Sequence, residues 1–130
     1  MNCKLVEINN QTGYDLDWAD LKSLAERALP EKARLSVAFI KASEIKKLNE
    51  KYRDSRGPTD VLAFKGDDLL GEVIIAPEVV EKQAKKNNLN FKDEIRRVLV
   101  HGILHLKGYD HKNKEDMRAM RREEKKFLSC

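Results

Sequence analysis

Apolar positions recur along the chain with two different periods, and the period changes from segment to segment. Residues 3–8 alternate as a strand does and end at Asn9-Asn10 and a turn around Gly13. Trp18, Leu21, Leu24, Ala25, Ala28 and Leu29 then follow helical spacing behind Asp17, a good N-cap, and Pro30 stops that helix. Residues 35–40 form a second strand with Leu35, Val37 and Phe39 on one face. Ser43 is expected to cap a short helix reaching about Tyr52, with Ile45 and Leu48 turned inward. A loop over residues 53–58 leads to a third strand at 60–64, and the turn Gly66-Asp67-Asp68 makes residues 70–76 its hairpin partner. Pro77 suits the first turn of a helix running to about Asn88. Phe91 opens another, with Asp93 and Glu94 at its N-terminus and Ile95, Val98, Leu99, Gly102, Ile103 and Leu106 as its inward stripe, ended by Gly108. A last helix covers residues 114–128, with Met117, Met120 and Phe127 among its few apolar positions. Strands grouped early and helices grouped late predict an α+β fold: a mixed four-stranded sheet packed with helices.

Size and composition narrow the class. The chain has 130 residues, enough for one domain over residues 1–130, and 41% are hydrophobic, enough for a core without disulfides. No apolar run approaches the roughly 18 residues that a membrane span needs. The first residues lack the charged-then-apolar pattern of a secretory signal, so a cytoplasmic location is expected. Cys3 and Cys130 are expected to be free thiols of a reducing compartment; neither has a second cysteine at ligand spacing. The charge is +4, from 26 basic and 22 acidic residues, too small an excess to prove a nucleic-acid partner. Its distribution says more. Between residues 112 and 126, Lys112, Lys114, Arg118, Arg121, Arg122, Lys125 and Lys126 face only Glu115, Asp116, Glu123 and Glu124. That segment reads either as a solvated helix face or as a surface for phosphates, in which Arg118, Arg121 and Arg122 are the candidate contacts.

The chemistry concentrates in residues 101–111, His-Gly-Ile-Leu-His-Leu-Lys-Gly-Tyr-Asp-His, which hold all three histidines of the protein. His101 and His105 stand four apart on a helix and therefore share a face one turn apart. Gly108 breaks the helix and lets the chain double back, so that His111 can join as a third ligand. Three neutral imidazoles with one open position filled by water are the ligand set of a catalytic zinc centre, and we expect one divalent ion per chain, zinc, on a helix and its following loop. The set with its intervening helix break favours ligands over ordinary half-buried histidines. A structural site closed by Asp110 or Asp116 is the alternative arrangement. A zinc protease of the H-E-x-x-H type would need glutamate after the first histidine as its base; the residue there is Gly102, which counts against peptide hydrolysis.

A second stretch, residues 49–64, carries Arg53 at a helix end before a loop and strand. Beside a metal site without a protein base, such an arginine suggests an anion-binding group, since guanidinium holds phosphate through two parallel hydrogen bonds.

Residues 101–111 closely resemble the signature of the bacterial YbeY family of endoribonucleases. Tyr52-Arg53 through Pro58-Thr59-Asp60-Val61-Leu62-Ala63-Phe64 is similar to that family's other hallmark, and residues 70–75 look like its following strand. The departures are slight: Ala63 stands where serine is expected and Glu72 where aspartate is usual. The resemblance implies a single-strand-specific metallo-endoribonuclease acting in ribosomal RNA maturation, near the 3′ end of small-subunit RNA, and in ribosome quality control. By that resemblance His101, His105 and His111 carry the metal, Arg53 matches the functional arginine, and the partners are single-stranded RNA, ribosomal RNA and the small subunit. Such an ion would lower the pKa of bound water toward about 7. Aromatic residues are only 6% of the chain, so base readout by stacking is expected to be weak. Two other readings stay open from the residues alone: a non-catalytic RNA- or ribosome-binding protein with structural zinc, and a metallohydrolase of another substrate.

Overall fold

The computed structural model describes residues 5–30, 32–53, 60–66, 71–107 and 114–128, with the side chains of Tyr52, Arg53, Lys114 and Asp116 outside that description. The elements run β1 (Leu5–Asn10), α1 (Trp18–Ala28), β2 (Arg34–Phe39), α2 (Ala42–Arg53), β3 (Val61–Lys65), β4 (Gly71–Ile75), α3 (Pro77–Lys86), α4 (Phe91–Leu106) and α5 (Lys114–Leu128). The α+β fold with a mixed four-stranded sheet is thus the observed one. The strands lie in the order β1-β2-β4-β3. β1, β2 and β4 are parallel, and β3 returns antiparallel to β4 as the expected hairpin. Parallel neighbours cannot be joined by a tight turn, and α1 supplies the crossover from β1 to β2.

Period-two alternation sends each strand's side chains to two unequal cores. Val6 on β1, Leu35, Val37 and Phe39 on β2, and Val73 and Ile75 on β4 join the larger one with α1, α4 and α5. Leu62 on β3 and Ile74 on β4 point the other way, into a smaller cluster with Ile45 and, partly buried, Leu48 of α2. Leu24, Val37, Phe39, Leu99 and Ile103 are fully shielded from solvent. Burying a side chain of this size stabilises the fold by about 1.5–3 kcal/mol, so the larger core governs stability.

α4 runs through the middle of that core. All six residues of its expected stripe are buried. At Gly102 the helix comes so close to the sheet that an added Cβ would stand 2.8 Å from Val73 Cγ1 and 3.3 Å from Val61 Cγ2. A glutamate there would collide with the sheet, so the absence of the protease-type base has a packing cause. Several boundaries differ from the expectation by a residue or two, and β1 runs through Asn9-Asn10, its expected stop, which instead pairs with Ala38 and Phe39. α1 is capped by Asp17, whose side chain accepts from the Asp20 N–H, as anticipated. α2, however, begins one residue before Ser43, and the Lys41 carbonyl accepts from the Glu44 and Ile45 amides, so Ser43 lies inside the helix. α3 stops at Lys86 rather than at Asn88, which takes a positive φ of 56°.

Candidate active site

α4 carries a second stripe besides its apolar one. Its start is set by Asn90, whose side chain accepts from the Asp93 amide at 3.3 Å, with Asp93 and Glu94 favourable at the helix N-terminus. From there Glu94, Arg97, His101 and His105 recur at i, i+3, i+7 and i+11. At 100° per residue they share an arc of about 80° of the helix circumference. The two imidazoles accordingly meet edge to face, with ring centroids 4.8 Å apart.

α5 packs against α4 and brings Glu124 to this stripe. Its Oε1 lies 2.8 Å from His101 Nδ1, and the two side chains are only 13% and 19% exposed. A bond that short and sheltered holds the imidazole in one orientation. Arg97 is engaged by Glu94, with Nε 3.1 and 3.3 Å from the two carboxylate oxygens and Nη2 3.2 Å from one of them. Burial works against the charged guanidinium, but the bond to Glu94 and the fields of Glu94, Glu124 and Asp60 outweigh it and hold its pKa above the usual arginine value. Asp60, just before β3, belongs to the same neighbourhood. Burial pushes its carboxyl above the ordinary aspartate range, against the opposing pull of its own backbone amide, Arg97 and His101.

Three carboxylates, Asp60, Glu94 and Glu124, therefore surround one guanidinium beside the histidines. Paired imidazoles, one of them fixed by a carboxylate, within a locally acidic and half-buried setting suit a borderline-soft divalent cation. Among the described residues no group of three His, Cys, Asp or Glu side chains is placed to hold a metal. The third expected ligand, His111, lies outside the described residues, as do Gly108 and Asp110. Arg53 is the last residue of α2, with its side chain outside the description. Arg118, Arg121 and Arg122 are exposed on one flank of α5. Cys3 and Cys130 lie outside the described residues.

The most consequential residue that sequence patterning did not single out is Glu124. A signal was available: Met117, Met120, Glu124 and Phe127 follow one helical stripe, so an acid sits where an apolar residue would be expected. Met120 is buried and Met117 and Phe127 are half-buried, which puts Glu124 on the packed side of α5. A separate cleft of about 610 Å³ lies between the N-termini of α1 and α4. It is lined by Asp15, Asp17, Asp20 and Asp93 against Lys92 and Arg96, the latter paired with Asp20, so the acidic excess opposes a polyanion.

Comparison with known proteins bears on what this arrangement serves. The family model for endoribonuclease YbeY matches residues 7–130. The endoribonuclease YbeY of Carboxydothermus hydrogenoformans is 38% identical over 138 residues, covering 97% of this chain and 96% of the relative. That of Thermodesulfovibrio yellowstonii is 45% identical over 103 residues, covering 73% of this chain and 65% of the relative. A solution structure of a Thermotoga maritima protein superimposes with a TM-score of 0.67 at 29% identity, over 95% of this chain and 87% of the other. With the match extending from β1 to the last residue, the chain belongs to the YbeY family of endoribonucleases.

Proposed function

We propose that this protein cleaves single-stranded RNA in a metal-dependent reaction, acting on precursor ribosomal RNA near the 3′ end of the small-subunit molecule and in ribosome quality control, in the cytoplasm. The observation that carries the reading is the imidazole pair of α4, with His101 oriented by a largely shielded carboxylate. His101, His105 and His111 would hold one divalent ion, zinc. When bound, the ion supplies the acidification of a water and the polarisation of a phosphoryl oxygen.

The chain's own residues do the rest. Glu124 keeps the His101 ring in place, and the charges of Glu94, Arg97 and Asp60 form the surrounding field. Arg53 binds the scissile phosphate and stabilises the charge that builds on it. Arg118, Arg121 and Arg122 track the RNA backbone from the exposed flank of α5. Among the described residues no helix is long and apolar enough to cross a membrane.

The test is a panel of single-stranded RNA, duplex RNA, casein and a chromogenic phosphodiester, given to zinc-loaded and chelated protein. Cleavage of the single-stranded RNA alone, lost on chelation and restored by zinc, is the expected result. Cleavage of casein or of the phosphodiester alone would point to another hydrolase. RNA binding without cleavage by the zinc-loaded protein would make this a binding protein with a structural ion.

A further inference from the structure

We infer that Glu124 is the positioning residue of the metal centre: by accepting the His101 Nδ1 proton in a hydrogen bond, it selects the ring tautomer that ligates through Nε2. The inference deepens the metal reading above and rests on it. Several observations converge. The Nδ1–Oε1 separation is 2.8 Å, and both side chains are largely shielded, so water competes poorly for either group. His101 and His105 meet edge to face, so a rotation of the His101 ring would also disturb its partner. The Arg97 guanidinium, held by Glu94 through three contacts, lies near enough for its charge to act on Glu124. The carboxylate also interrupts an otherwise apolar stripe of α5.

The chemistry follows from the two ring nitrogens being distinct. A neutral imidazole carries one N–H, and a carboxylate acceptor at Nδ1 places the proton there, so the lone pair available to a cation is on Nε2. The same bond raises the donor strength of that lone pair and removes the ring's rotational freedom before an ion arrives. Losing such a partner costs about 10- to 100-fold in metal affinity. Glu124 does not have to touch the ion or the RNA to have this effect.

Two readouts on full-length protein separate this role from mere packing. The first needs no metal: long-range proton–nitrogen spectra of ¹⁵N-histidine-labelled, metal-free protein, well above the ordinary histidine titration range. Wild type should show His101 protonated at Nδ1, and Glu124→Ala should shift it toward the Nε2-protonated tautomer that an unconstrained histidine side chain prefers. The second is zinc affinity by competition with a chromophoric chelator. Glu124→Ala should bind zinc about 10- to 100-fold more weakly. Glu124→Gln, which keeps an accepting oxygen but not the charge, should fall between it and wild type. Thermal unfolding of the metal-free variants shows whether each is folded, and Glu124→Gln serves if Glu124→Ala is not. An unchanged His101 tautomer in folded Glu124→Ala, or wild-type zinc affinity in a folded Glu124→Ala or Glu124→Gln protein, would overturn the inference. If wild type takes up no zinc yet shows the Glu124-dependent tautomer, the metal reading falls while the Glu124–His101 pairing stands, so the two failures are distinguishable.

Discussion

Two polar contacts tie α4 to neighbouring helices, and they lie about 140° apart around its axis at 100° per residue. On one flank Arg96 reaches α1, its Nη1 lying 2.8 and 2.7 Å from the two oxygens of Asp20. On the other, His101 reaches α5 and Glu124 at 2.8 Å. The distances are nearly equal and each joins α4 to another helix, yet their chemical content differs. An arginine paired with a carboxylate is a charge neutralised: guanidinium stays protonated and has no lone pair to offer. An imidazole paired with a carboxylate keeps a second nitrogen whose character the pairing sets. The first contact fastens the helix; the second fastens it and, on the metal reading proposed above, prepares a ligand. A hydrogen bond to a titratable ring is therefore worth more attention as chemistry than an equally short ion pair.

The largest expected effect would break that contrast outright. Alanine at His101, His105 or His111 should remove zinc and reduce RNA cleavage to the level of the chelated protein. Arg96→Ala or Asp20→Ala should leave both intact and cost only about 0.5–1 kcal/mol of stability, as partly exposed ion pairs do. Elemental analysis, single-turnover cleavage and denaturant midpoints read these outcomes. Loss of zinc in the Arg96 variant, or its retention in all three histidine variants, would refute the division between the two flanks.

Arg53 sharpens the comparison with Arg96 and Arg97, whose guanidinium groups are committed to Asp20 and Glu94. If Arg53 serves the substrate instead, Arg53→Ala should keep its zinc while cleavage falls by about 10²-fold or more, as when a single stabiliser of transition-state charge is removed. Lysine should rescue only in part, since a point charge cannot reproduce the guanidinium fork. Single-turnover rates of the zinc-replete variants decide it, and wild-type rates in both would exclude Arg53.

A smaller effect is expected on the apolar side of α4. Gly102→Ala puts a methyl 2.8 Å from Val73 Cγ1, so helix and sheet must move apart. Such overpacking costs about 1–3 kcal/mol, and urea unfolding should show it. A midpoint equal to wild type would mean that α4 has room to shift. The smallest effect belongs to α5. Replacing Arg118, Arg121 and Arg122 together by glutamine should reduce the slope of log affinity for single-stranded RNA against log salt by up to about 2, since each phosphate left without its cation lowers it by roughly 0.7. An unchanged slope would return that flank to a plain solvated surface.

Much of this was legible in the residues. The helix and strand order, the hairpin of β3 and β4, the inward stripe of α4 and the span of α5 followed from apolar period and capping chemistry, because these are local properties. The shared face of His101 and His105 is likewise a consequence of helical spacing, and the rings do meet. The exact start of α2 was not legible: Ser43 is a good cap by composition, but the Lys41 carbonyl begins the helix bonding before it.

Local chain chemistry set which segments are helical, which alternate, and which histidines can face one another across a single turn. Tertiary structure decided what stands opposite them. Glu124 is 23 residues beyond His101, and Asp60 is 41 before it, and neither separation carries a periodic signal. Their approach depends on α5 burying Met120 against α4 and on β3 taking the edge of the sheet, both products of the whole core. Even the missing protease base is explained only by the depth at which Gly102 meets Val73. The physical reason is range: hydrogen-bond and rotamer preferences act over a turn or two of chain. The partner of a buried polar group is chosen by the long-range burial of apolar surface that brings distant elements together.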